Sequence, residues 1–145
     1  MKLLISKKIT GKIKEFNDRE WKFADKEHYG QVLDWSKKNY LITAYDDNRN
    51  IVGTLAQKIS VGVAHIDTLL VAKDMQGKGI GTSLLKKAEE IAIAENAHKI
   101  YLETGKNWRS IKFYEKLGYK ISGKLPNHYF HVDFVEFTKF LEKTI

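Results

Sequence analysis

The chain has 145 residues and a formal net charge of +7, from 25 Lys and Arg against 18 Asp and Glu. That length suits one domain with its own core, and 43% hydrophobic with 30% charged residues is ordinary globular composition. The absence of Cys excludes disulfides, thiolate nucleophiles and zinc–thiolate sites. The opening apolar run, Leu3-Leu-Ile5, is too short for a secretory core or a membrane span, so a cytoplasmic location and no membrane partner are expected. The basic residues are spread along the chain and nearly all are Lys, with Arg only at 19, 49 and 109. Arg is the residue preferred for gripping phosphate or guanine, so the charge reads as a solvated surface that favours a small anion rather than nucleic acid.

Residues 17 to 29 read as a helix, with Asn17 or Asp18 as cap and Trp21, Phe23 and Ala24 as its apolar positions. A short helix is expected over 31–38. Residues 40–45 and 51–59 are β-rich, and Asp46-Asp-Asn-Arg-Asn50 between them is turn chemistry, so the two form a hairpin. Residues 63–72 continue the sheet antiparallel. From Ile80 the period changes: Leu84, Leu85, Ala88, Ile91 and Ala92 share one helical face opposite Lys86, Lys87, Glu89 and Glu90. Residues 100–104 are a strand, 108–117 a helix ending at Gly118, and 119–125 and 130–140 are closing strands. Strand–helix–strand from 63 to 104 makes a parallel crossover. The expected fold is α/β: one domain, 1–145, with a mixed, mostly antiparallel twisted sheet, one parallel β-α-β crossover and helices on both faces.

Gly77, Gly79 and Gly81 alternate where the chain turns from strand to helix. Glycine lets backbone N–H groups approach a ligand closely, and a helix opening near Gly79 adds unpaired N–H donors and a positive dipole end. The segment is suited to an anion, most simply phosphate, beside the plain alternative of a Gly-rich helix-capping turn. It is not a P-loop, because Lys78 precedes the last two glycines and no Gly-Lys-Ser/Thr follows. It is not the dinucleotide fingerprint either, because Thr82 stands where the third Gly belongs.

Gln76-Gly-Lys-Gly-Ile-Gly81 instead resembles the Gln/Arg-x-x-Gly-x-Gly/Ala signature of the GNAT superfamily of N-acetyltransferases. The preceding Ile66-Asp-Thr-Leu-Leu-Val71 and the later Asn107-Trp-Arg-Ser-Ile-Lys-Phe-Tyr-Glu-Lys-Leu-Gly-Tyr119 are similar to the family's pattern in order and spacing, over about residues 40 to 125. The resemblance implies the same mixed fold and acetyl-CoA as cosubstrate. It places the pyrophosphate on the backbone of Gln76, Gly77, Lys78, Gly79, Ile80 and Gly81, with Thr82 adding a hydroxyl. It also places the thioester against the backbone at Leu69, Leu70 and Val71, where the strand bulges away from residues 100–104, and the pantetheine arm against Asn107 and Ser110.

Asn107, Ser110, Ile111 and Tyr114 fall at i, i+3, i+4 and i+7 and so share one helical face. The family uses a Tyr at the position of Tyr114 as general acid toward the leaving thiolate; the alternative is a core aromatic like Phe113. His65 and Asp67, two apart on a strand, project to one face and can accept the amine proton, directly or through water with Asp67 orienting His65, and Glu103 is a third candidate. Either is equally a residue of a solvated strand face. Were 128–131 strand, His128 and His131 would point apart, leaving only His131 and Asp133 to share an ion, so no metal is expected and an aromatic loop over the acceptor site is the better reading. Trp21, His28 and Tyr29 are similar weak candidates for a substrate wall. The resemblance thus implies acetyl transfer to a primary amine, on a small molecule, a protein N-terminus or a lysine, by direct ternary-complex attack. A non-catalytic acyl-CoA-sensing domain is the alternative, and a homodimer stays open.

Overall fold

The computed structural model describes residues 1–142, which group into two compact units, residues 1–35 and residue 36 onward. In the first unit, helix α1 (Gly11–Tyr29) is capped by Thr10, whose side chain accepts the Ile13 N–H. The helix therefore opens earlier than the Asn17 or Asp18 cap predicts, and Asp18 instead pairs with Lys14 one turn before it. Gly30, at φ 76°, ends it in the left-handed conformation that glycine adopts without strain. The buried Asp25 carboxylate accepts the Leu33 N–H and the Trp35 indole N–H, each at 3.0 Å. Those bonds tie residues 31–35 into an irregular segment, which replaces the short helix expected over 31–38.

The second unit is a six-stranded sheet with two helices: β1 (Lys38–Tyr45), β2 (Ile51–Ser60), β3 (Val63–Val71), α2 (Ile80–Ala94), β4 (Lys99–Gly105), α3 (Ser110–Lys116), β5 (Lys120–Leu125) and β6 (Phe134–Phe140). The strand order is β1-β2-β3-β4-β6-β5, antiparallel throughout except for the parallel pair β3–β4 joined by α2. The mixed sheet with one crossover is the predicted architecture. The last strand starts at Phe134 rather than at 130, because Tyr129–His131 forms a short 3₁₀ turn.

Strand alternation puts Leu55, Ile59, Ala64, Ile66, Ile100, Leu102 and Phe137 in one core with Leu84, Leu85, Ala88 and Ala92 of α2 and Tyr114 of α3. One sheet face is thus covered by α2 and α3, and Gln57 Nε2 donates to the Ala88 carbonyl across that interface. Two irregularities shape the middle of the sheet. Between Thr68 and Ile66 the pairing with β2 slips by one residue, so Asp67 is a bulge. The parallel pairing of β3 with β4 stops after His65–Tyr101, and the strands part beyond it. The separation therefore begins well before Val71.

Candidate active site

The chain after β3 makes a short 3₁₀ turn (Lys73–Met75) and enters α2 through Gly77 and Gly79, at φ 78° and 83°. Both are left-handed, the conformation that disfavours any residue with a Cβ. Gly81 serves otherwise: an added Cβ there would lie 3.2 Å from the Phe113 ring, so its bareness lets α3 approach the start of α2. The first N–H groups of α2 have no intrahelical acceptor and open toward a cleft of about 960 Å³. Its walls include Leu69, Val71, Gln76, Gly77, Gly79, Ile80, Gly81 and Thr82 on one side and Asn107, Ser110 and Tyr114 on the other. Two of the candidates lie elsewhere. Leu70 projects from the opposite face and is exposed, and Lys78 lines a smaller, 520 Å³ hollow behind the loop.

Arg109, Lys112 and Lys116 also line the cleft, and Arg109 donates to Gln76 Oε1 at 3.2 Å across its mouth. Their i, i+3, i+7 spacing on α3 is legible in the sequence as a basic stripe, but it passes unnoticed amid so many lysines. Tyr114 is buried against Phe113, Tyr119 and Phe137, with ring centroids 5.0, 5.7 and 5.7 Å away. Burial pushes its hydroxyl up to about 12, so it stays protonated through the neutral range. The Thr104 and Ser110 hydroxyls meet at 2.6 Å, fixing the start of α3 to the end of β4.

On the other face of the sheet, just where β3 and β4 part, His65 lies between two carboxylates. Its Nδ1 is 2.7 Å from Asp67 Oδ1 and its Nε2 is 2.6 Å from Glu103 Oε2. Strand alternation puts Asp67 on this face beside His65, and its second oxygen is 3.3 Å from Lys58 Nζ. A neutral imidazole has one N–H and donates to one carboxylate at a time. Each ring nitrogen faces a carboxylate oxygen, so bonding both at once takes a second proton, on the ring or on one carboxylate. Glu136 stands opposite Glu103 across β4–β6. Tyr101 packs on the His65 ring at 4.6 Å, and burial first, then Glu103, Glu136 and Asp67, raise its phenol above the ordinary range. Among the described residues no group of three or more His, Cys, Asp or Glu is arranged to hold a metal, and His131 Nδ1 is instead 2.8 Å from Asn127 Oδ1.

The sequence matches the model of the Acetyltransferase (GNAT) family over residues 11–119. An uncharacterized N-acetyltransferase of Methanocaldococcus jannaschii is 36% identical over 98 residues, 66% of this chain and 62% of that protein. The chain spans less than two thirds of the length of the curated relatives it matches in this way. Among solved structures, an acetyltransferase from Bacillus cereus superimposes with a TM-score of 0.73 at 20% identity, covering 95% of this chain and 98% of that one. An aminoglycoside 6′-N-acetyltransferase complexed with coenzyme A does so with a TM-score of 0.63 at 22% identity, over 74% and 75%. No described helix is long and apolar enough to cross a membrane. With the Gly loop, the parted strands and the family model in agreement over most of the chain, the protein belongs to the GNAT acetyltransferase family.

Proposed function

We propose that the chain is an N-acetyltransferase that moves an acetyl group from acetyl-CoA to a primary amine by direct attack. The observation that carries this is the parting of β3 from β4 beyond His65–Tyr101, with the Gly-loop cleft on the helix-covered face and the carboxylates on the other. A thioester held from one side and an amine held from the other meet in that gap. The solved coenzyme A complex of a protein with this fold supports the cleft as the coenzyme site.

In this reading the N–H groups from Gln76 to Thr82 bind the pyrophosphate, with the side chains of Arg109 and Lys112 adding positive charge. Asn107 and Ser110 line the pantetheine arm, and the backbone at Val71 faces the thioester oxygen. Alkyl ammonium groups titrate near ~10.4 and must lose a proton before attack. Glu103, through the oxygen that His65 does not touch, takes that proton, and His65, bridging to Asp67, holds the carboxylate in place. Tyr114 donates a hydrogen bond to the departing sulfur. With no Cys in the chain, the amine attacks the thioester without a thiol acyl-enzyme.

The test is mass spectrometry of a panel of primary amines incubated with acetyl-CoA and the purified protein. An amine heavier by one acetyl group, formed only with protein present, supports transfer. Tight acetyl-CoA binding with no acetylated amine would instead make the chain a sensor of acyl-CoA.

A further inference from the structure

The β5–β6 connection is held in an unusual backbone. Asn127, Phe130 and His131 have φ of 50°, 52° and 63°, left-handed values that cost a bulky residue such as Phe about 1–2 kcal/mol. Local bonds hold that conformation in place. Asp133 accepts the Asn127 N–H at 2.8 Å, and the His128 N–H reaches the Val132 carbonyl at 2.9 Å. The Lys106 N–H, just past β4, ties the whole turn down through the Asp133 carbonyl at 2.9 Å. The outcome is a Phe130 ring 96% exposed and a Tyr129 ring 70% exposed.

The Tyr129 ring is not isolated. Tyr129 packs on Phe134 at 5.5 Å, and Phe134 packs on Trp108 at 5.2 Å. The Trp108 indole lies flat over Gly105, where any Cβ would enter the ring, and Trp108 also lines the coenzyme cleft. Gly105 follows Glu103 by two residues on β4, so the two positions share a sheet face with their Cα atoms about 7 Å apart. Phe134 stands opposite Gly105 just as Glu136 stands opposite Glu103. The acceptor side of the gap is thus acidic at one end and aromatic at the other.

We propose, resting on the acetyltransferase reading, that Trp108, Tyr129 and Phe130 form the wall that selects the acceptor. Its substrate is an arylalkylamine: a primary amine separated by two or three carbons from a flat ring, without a carboxylate of its own. The ammonium end matches Glu103 and Glu136, the ring stacks edge-to-face on Trp108 and Tyr129, and a carboxylate would be repelled by the same acids.

The test compares kcat/KM for 2-phenylethylamine and tryptamine with n-hexylamine, spermidine and L-phenylalanine, in the wild type and in Phe130→Ala and Tyr129→Leu. The expected result is a preference for the aryl amines of at least about tenfold over n-hexylamine. It falls toward unity in both variants while acetyl-CoA affinity is kept, and L-phenylalanine is poor throughout. Phe130→Ala trims a side chain exposed to solvent, so its folding is secure, whereas Tyr129→Leu removes a ring that packs on Phe134. Turnover of n-hexylamine or spermidine without an aryl preference, or a preference untouched by either variant, overturns the wall alone. Acetylation of no amine overturns the transferase reading and this one with it.

Discussion

Removing the Tyr114 hydroxyl separates catalysis from binding. Burial holds that hydroxyl at about 12, whereas a thiol titrates near ~8.5. Complete proton transfer from the phenol to the departing thiolate is therefore uphill by about 5 kcal/mol, at about 1.4 kcal/mol per pH unit. In the proposed mechanism Tyr114 is therefore a hydrogen-bond donor to developing negative charge, and the thiolate's proton comes finally from the amine or from water. Losing one such pre-aimed donor costs about 10²- to 10³-fold in rate. Tyr114→Phe keeps the ring contacts with Phe113, Tyr119 and Phe137, so the fold and acetyl-CoA affinity should survive, the latter within about threefold. The assay is rapid-quench single turnover with saturating acetyl-CoA, which removes product release from the measured step. The predicted outcome is a drop of about 10² or more. An unchanged single-turnover rate would show that the hydroxyl takes no part and that Tyr114 is only a core aromatic.

Gly79→Glu puts a side chain into open space but adds charge and left-handed strain at the loop, and should abolish acetyl-CoA binding in calorimetry, with Gly79→Ala losing much less; equal losses would locate the effect in strain rather than charge. Glu103→Gln should lower kcat/KM for the amine by about 10²-fold without changing coenzyme affinity, and Asp67→Asn should do so less; retained activity in both removes the carboxylates from proton transfer. Folded Tyr114 titrates above the ordinary phenol, so the unfolded chain releases its proton first as pH rises. Stability contributed below pH ~10 is lost through about 12, by up to about 3 kcal/mol, and denaturant midpoints of the wild type should fall more steeply there than those of Tyr114→Phe. Asp25→Ala leaves two donors without their carboxylate, so it should destabilise the segment around residues 25–35 by about 1–3 kcal/mol, seen as faster hydrogen exchange at Leu33.

The strands and α2 were legible because their periodicity is strong and their turns carry decisive residues. Asp46, for example, accepts the Asn48 and Asn50 N–H groups and closes the β1–β2 hairpin. The start of α1 was not, because Thr10 precedes a run of mostly polar residues, while Asn17 and Asp18 sit before an aromatic one and mimic a cap. Nor was the irregular path of 31–35, which depends on a contact eight to ten residues back to Asp25. At the site, the shared face of Ser110 and Tyr114 follows from helical spacing, while Asn107 reaches the same cleft from the turn before α3. The linkage of His65 to Glu103 spans 38 residues and two strands, so register had to be known first. The bulge at Asp67 was invisible for the same reason: it is a mismatch between two strands, not a property of one. The start of the last strand read as residue 130 because Phe130 and Val132 are β-prone, and only the bonds to Asp133 and the turn at Tyr129–His131 move it to Phe134.

The central claim is that thioester and amine meet directly in the gap between β3 and β4. The most direct test is a single turnover of acetyl-CoA with a primary amine, following free thiol, acetylated amine and the intact mass of the protein together. The account predicts thiol and acetylated amine rising at the same rate and in equal amounts, only when amine is present, with the protein mass unchanged. Thiol released before any amine is added, with one acetyl group on the protein, would contradict it.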